Sequence, residues 1–153
     1  MATKWTGGDK LRRKLRAMPA QVAIAASRAL VQNATELVGK MKNAAPYDDG
    51  DLFDSIQWQF TNAGAGGETA SSVKGAEGLS VTVSAGGGLA WYATWVEYGT
   101  PPHINGGKFA GTQHPGTVKQ PFFWPIYRLN KRRIRSRLSR AQNKAIKEVA
   151  ARG

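Results

Sequence analysis

The apolar residues of this chain change their spacing part-way along, from steps of three and four to steps of two, and that change limits what it can fold into. Leu11, Leu15, Met18, Val22, Ala25, Ala29, Leu37 and Met41, with Asn33 in the same register, recur at steps of three and four. That spacing marks one face of an amphipathic helix. Pro19 interrupts the run. A proline is accepted in a first helical turn but lacks the N–H that an interior needs, so the spacing predicts a short basic helix from Asp9 to Ala17 and a longer one from Pro19 to Asn43. Pro46 closes the second, because Ala45 before it is pushed out of the α region. From Ile56 the period is two. Ile56, Trp58 and Phe60 alternate with Ser55, Gln57 and Gln59, and Leu79, Val81 and Val83 alternate with Ser80, Thr82 and Ser84. Each run predicts a strand with one buried and one wet face.

Three further segments complete the plan. The run "LAWYATWVEYG" fits either a strand or a strand followed by a short helical turn, since aromatics favour strands while Trp91, Trp95 and Tyr98 also stand at helical spacing. Ile134, Leu138, Ala141, Ala145 and Val149 form one apolar stripe on a basic helix expected from Pro121 to Ala150. The glycine-rich stretches 61–78 and 99–119 are expected as long loops and residues 1–8 as flexible. The fold class that results is α+β: a small antiparallel sheet with two N-terminal helices and a long basic C-terminal helix packed on it.

At 153 residues the chain is expected to form a single domain, 1–153, long enough to bury roughly two-thirds of its unfolded surface. It has no cysteine, which excludes disulfides, thiolate metal sites and a cysteine nucleophile. The N-terminal residues lack the continuous apolar segment of a secretory signal, and no run is long enough to span a membrane, so a soluble protein made in a cytoplasm is expected. The formal charge of +12 is uneven. Residues 1–16 carry six Lys/Arg against one Asp, residues 128–153 carry ten against one Glu, and the middle carries six against eight acids. Basic ends of this kind form solvated faces or meet phosphate or acidic protein surfaces.

Catalytic and cofactor motifs fail one by one. His103 and His114 stand in a Gly/Pro loop with no carboxylate at a metal-site spacing. "INGGKFAG" resembles a phosphate loop only superficially, since Pro102 stands where a glycine is needed and Phe109 follows Lys108 in place of Ser or Thr. Asp48, Asp49, Asp51 and Asp54 break the calcium-loop pattern and read as a turn, with Gly50 supplying positive φ. No enzyme, cofactor or metal is expected. "RLNKRRIRSRLSR" allows a basic nucleic-acid-binding module acting through Arg132, Arg133, Arg135 and Arg137, although a helix with one buried stripe also uses arginines to stay soluble. Tryptophans 58, 91, 95 and 124 sit among apolar groups and read as core or interface anchors rather than base-stacking platforms.

Three patterns in order carry a resemblance. "LVGKMKNAAPYDDGDLFDSI" (Leu37 to Ile56), "YATWVEYGT" (Tyr92 to Thr100) and "QPFFWPIY" (Gln120 to Tyr127) resemble segments of the tail-completion or head-tail joining proteins of long-tailed bacteriophages, the gene-product-ten-like family of lambdoid phages. The chain departs from that pattern at Tyr47 and Asp49 and has a longer loop from Gly99 to Lys119. The resemblance implies a virion structural protein of the neck or tail, assembled in the host cytoplasm. It implies a homo-oligomeric ring, a hexamer, between the head connector or adaptor and the tail terminator or tail tube, with genome DNA passing non-specifically through the lumen. A ring subunit must show identical neighbours two complementary surfaces. Glu97, Tyr98, Gly99, Pro101, Pro102, Phe122, Phe123 and Trp124 are the expected subunit or partner interface, and Arg128, Arg132, Arg133, Arg135 and Arg137 the basic contact surface. For Glu97 two roles stay open: an intersubunit ion pair with Arg128 or Arg132, or a hydrogen bond within its own turn.

Overall fold

The computed structural model describes residues 8–62, 73–74 and 79–151, and the side chains of residues 20–60 and 80–151. The expectations for residues 1–7 and for most of 61–78 lie outside the described residues. Helix α1 runs from Gly8 to Ala44 without a break, 37 residues long. The split expected at Pro19 is therefore corrected. A proline removes one N–H bond from the ladder, and here the turns on both sides remain helical. The acidic turn then holds a short helix α2, Asp51–Ser55, entered through Gly50 at φ 94.

Strands β1 (Gln57–Asn62), β2 (Val73–Lys74) and β3 (Leu79–Ser84) form an antiparallel sheet in the order β1-β3-β2. The register pairs Trp58 with Val83 and Phe60 with Val81, so the apolar sets of β1 and β3 share a face. That face is not buried along its whole length: Val81 and Val83 are buried, Trp58 is half-buried, and Phe60 is 48% exposed. The opposite face of β3 is also covered, with Ser80 and Thr82 buried, against the expected wet face. β3 is also the central strand, flanked by β1 and β2, whereas β1 lies at an edge.

The run Leu89–Gly99 contains no strand. A 3-10 turn at Gly88–Ala90 leads into helix α3, Ala93–Tyr98. The segment 99–119 is a hairpin rather than a loop, with strands β4 (His103–Ile104) and β5 (Gln113–His114). Helix α4 spans Trp124–Ala151 and starts three residues after the expected Pro121. The α+β class holds, with α1 and α4 packed together and against the sheet. The core joins Ala26, Ala29, Leu30, Ala34, Leu37 and Met41 of α1 to Ile134 and Leu138 of α4 and Val81 and Val83 of β3. Leu52, Ile56, Phe122 and Phe123 close it at one end. The alanines let the two helices approach closely.

Candidate interface: an arm, a cleft and a basic helix

Helix α3 sorts its residues by face. Ala93 and Glu97, four apart, point inward and are buried, while Trp95 and Tyr98 are exposed on the outer face beside Trp91. The Trp91 and Trp95 rings meet edge to face with centroids 4.7 Å apart. Glu97 is 7% exposed and its carboxylate is fully engaged. Oε2 accepts the backbone N–H groups of Phe122 at 2.8 Å and Phe123 at 2.9 Å, and Oε1 accepts that of Trp124 at 3.0 Å. These are the donors just before and at the first residue of α4, where a helix leaves N–H groups unpaired and its dipole favours negative charge. Pro125, in the first turn, has no N–H to satisfy.

Glu97 is thus a helix cap supplied from 25 residues upstream. Within the chain its carboxylate serves the backbone of residues 122–124, which lie outside its own turn. Phe122 and Phe123 are likewise corrected: both lie in the core, and only Trp124 of that trio is partly open. Their burial follows from the cap, which draws the chain inward before the helix starts.

The hairpin leaves the body at Gly99, where φ is 72 and an added Cβ would stand 2.6 Å from the Thr117 carbonyl oxygen, so only glycine fits. Gly116 is held in the same way against the Thr100 carbonyl. Thr100 and Thr117 exchange two backbone hydrogen bonds of 3.1 Å, and their hydroxyls meet at 3.0 Å. The pairing continues in constant register through His103 with His114 and Ile104 with Gln113 to the Asn105 N–H on the Thr112 carbonyl at 2.8 Å. The imidazoles of His103 and His114 stack with centroids 4.8 Å apart. His103 donates through Nδ1 to the Pro101 carbonyl at 3.0 Å, and His114 accepts at Nδ1 from the Gly116 N–H at 2.9 Å. Pro101, Pro102 and Pro115 lack N–H groups, so the strands carry no backbone donor at these positions.

From Pro101 to Pro121 every residue except Asn105, His114 and Gly116 is exposed. The hairpin is therefore an arm that stands off the body. Its tip carries Ile104 at 72% and Phe109 at 66% exposure. At its base lies an open cleft of about 320 Å³, walled by Pro46, Leu52, Tyr92, Trp95 and Val118, with Asp48 at the rim.

The arginines between residues 128 and 137 divide into two sets. Glu36 of α1 holds one: Arg137 at 2.7 Å and Arg133 at 3.0 Å, together with Lys40 of its own helix at 2.9 Å. Arg137 also donates to Asn33 Oδ1 at 2.7 Å, while Asn33 Nδ2 donates to the Ile134 carbonyl at 3.2 Å. This explains why Asn33 sits buried in the apolar stripe. Hydrogen bonds from Lys40 and then Arg137, helped by the Arg133 charge, outweigh burial and hold the Glu36 carboxyl at about 2. Arg133 and Arg137 therefore serve the α1–α4 seam first. Arg128, Arg132 and Arg135 are exposed, share one helix face and make no ion pair among the described residues.

Sequence reasoning missed Glu36 and the apolar arm tip, and left Trp91 and Trp95 between core and interface. A hint existed for the first, since Glu36 and Lys40 stand four apart on a helix, but the partners on α4 are a hundred residues away. Among the described residues no three metal-binding side chains gather, and no helix is long and apolar enough to cross a membrane.

No curated protein and no solved structure matches the chain. One family does, described as "Bacteriophage HK97-gp10, putative tail-component", over residues 9–99. The matched region covers α1, the acidic turn, the three-stranded sheet and α3 up to the glycine at which the arm departs. The chain belongs to the HK97 gp10-like family, a virion structural family of bacteriophage tail components.

Proposed function

We propose that this tail component is a ring-forming subunit at the head-tail interface, six copies enclosing a lumen through which the genome passes. One face of the ring meets the head connector or adaptor and the other the tail terminator or tail tube. The observation that carries this reading is the pair of apolar surfaces on one chain: Leu89, Trp91, Trp95 and Tyr98 on the body, and Ile104 and Phe109 on the arm, all exposed. Surfaces of this kind mark contacts with other proteins, and two different surfaces on one subunit make a heterologous contact that closes by rotation. Gly99, Pro101 and Pro102 aim the arm, and Tyr98 and Trp124 flank its base. The reading calls for no catalytic step.

The test is the copy number of the chain in purified particles, by native mass spectrometry and imaging of the neck. Six copies in one ring are expected, and particles lacking the protein should appear as filled heads apart from finished tails. Normal infectious particles without it would end the reading.

A second reading, a nucleic-acid-binding module as the main activity, draws on Arg128, Arg132 and Arg135, which have no acidic partner among the described residues. It loses Arg133 and Arg137 to Glu36. A monomer binding duplex DNA with a steep salt dependence would favour it.

A further inference from the structure

We infer that the tip of the arm seats in the cleft of the next copy of this chain, with Phe109 entering between Leu52, Tyr92 and Trp95 and Lys108 meeting Asp48. The inference rests on the ring reading and names the contact that closes it.

The chemistry of the two surfaces is complementary. From Thr100 to Lys119 the arm contains no acid, and its tip sets a cation, Lys108, next to an exposed aromatic ring, Phe109. The cleft sets one carboxylate, Asp48, at the rim of an apolar hollow, with Asp49, Asp51 and Asp54 following in the same turn. None of these four acids has an ion-pair partner among the described residues. At about 320 Å³ the hollow falls at the small end of the roughly 300–1,000 Å³ range of ligand-sized clefts, suited to one large side chain.

Geometry makes the occupant another copy. Thr117 and Val118, at the base of the arm, form one wall of the cleft, whereas no tip residue lines it. Thr100 to Asn105 extends roughly 17 Å at strand spacing, and the pairing keeps one register from Thr100–Thr117 to Ile104–Gln113, which carries the tip away from the cleft at the arm's base. A two-stranded hairpin packed on nothing is marginally stable in water. This one is built with two glycine close approaches, a threonine pair and a histidine stack, and gains cover only on reaching a neighbour.

Because the chain has no cysteine, the contact can be trapped cleanly. A Lys108→Cys, Asp48→Cys double variant, treated in assembled particles with a short bismaleimide, should yield a ladder at integer multiples of the chain, ending at the ring's copy number. Each single variant should yield none. Lys108→Glu and Asp48→Lys should each lower the yield of complete particles at least tenfold, and the two together should restore it. Both sites are exposed, and dichroism of each variant should match the parent. Phe109→Ala should lower yield with no change in fold. Rings of unchanged copy number with no ladder, or no rescue by the charge swap, would overturn the seating while leaving the ring intact. A cross-link to a different virion protein would overturn the choice of occupant. A parent chain that is not a ring in particles would remove the ring reading itself.

Discussion

The seam between α1 and α4 and the arm between α3 and α4 use the same kinds of residue in opposite ways. In the seam, charged groups find partners within the chain, Glu36 gathering Lys40, Arg133 and Arg137, and the apolar stripes face each other. In the arm, backbone and threonine groups are paired, but Lys108, Phe109 and Ile104 face outward with nothing against them. One region is closed within a single copy, and the other leaves its large apolar side chains exposed. Substitutions in the seam should therefore change stability, and substitutions in the arm should change assembly.

The largest effect is expected at the junction of the two. Phe122→Ala should cost about 3–5 kcal/mol in denaturant unfolding, the range for a fully buried aromatic. Loss of particle yield without loss of stability would show that the residue serves an interface after all. Glu97→Ala should cost about 2–4 kcal/mol, because three N–H groups lose a charged acceptor at a buried site. Glu97→Gln, which keeps one oxygen, should cost less. Glu36→Gln should cost about 1–2 kcal/mol after allowance for solvent screening, and less at high salt. The folded carboxyl, held at about 2, lies below its ordinary value of 4.5. Its contribution is therefore full above about pH 4.5 and fades as pH falls toward 2, so unfolding curves of parent and variant should converge over that window. The smallest effect on stability belongs to Phe109→Ala, within about 0.5 kcal/mol, and sharpens the contrast if assembly fails alongside it.

The parts of the fold written in local spacing were legible in the sequence: the stripes of α1 and α4, the alternation of β1 and β3, and the turn at Gly50. What escaped depends on distant partners. Pro19 signals a break only if one lost bond outweighs the packing of a long helix, and here the helix continues. Ser80 and Thr82 look wet from their alternation, yet both are buried, because alternation marks two faces without saying what covers each. Tyr92–Thr100 and Gln120–Tyr127 stand apart in the sequence, and what joins them, one carboxylate on three N–H groups, is a contact that neither segment shows alone. Glu97, Phe122 and Phe123 looked like surface anchors because an isolated acid beside aromatics gives no sign of which way it faces. The arm looked like a loop because glycine and proline dominate it. Its order comes from cross-strand pairs of small polar residues that carry little periodic signal.

The cap on α4 also fixes what the arm is mounted on. Glu97 holds the helix start, and the Gln120 N–H closes on the Val96 carbonyl at 2.8 Å, so both roots of the arm are bolted to the same six-residue helix. Such a mounting behaves as a lever with its fulcrum at the first turn of α4. A push on the tip would therefore reach the start of that long helix instead of being taken up in a slack tether.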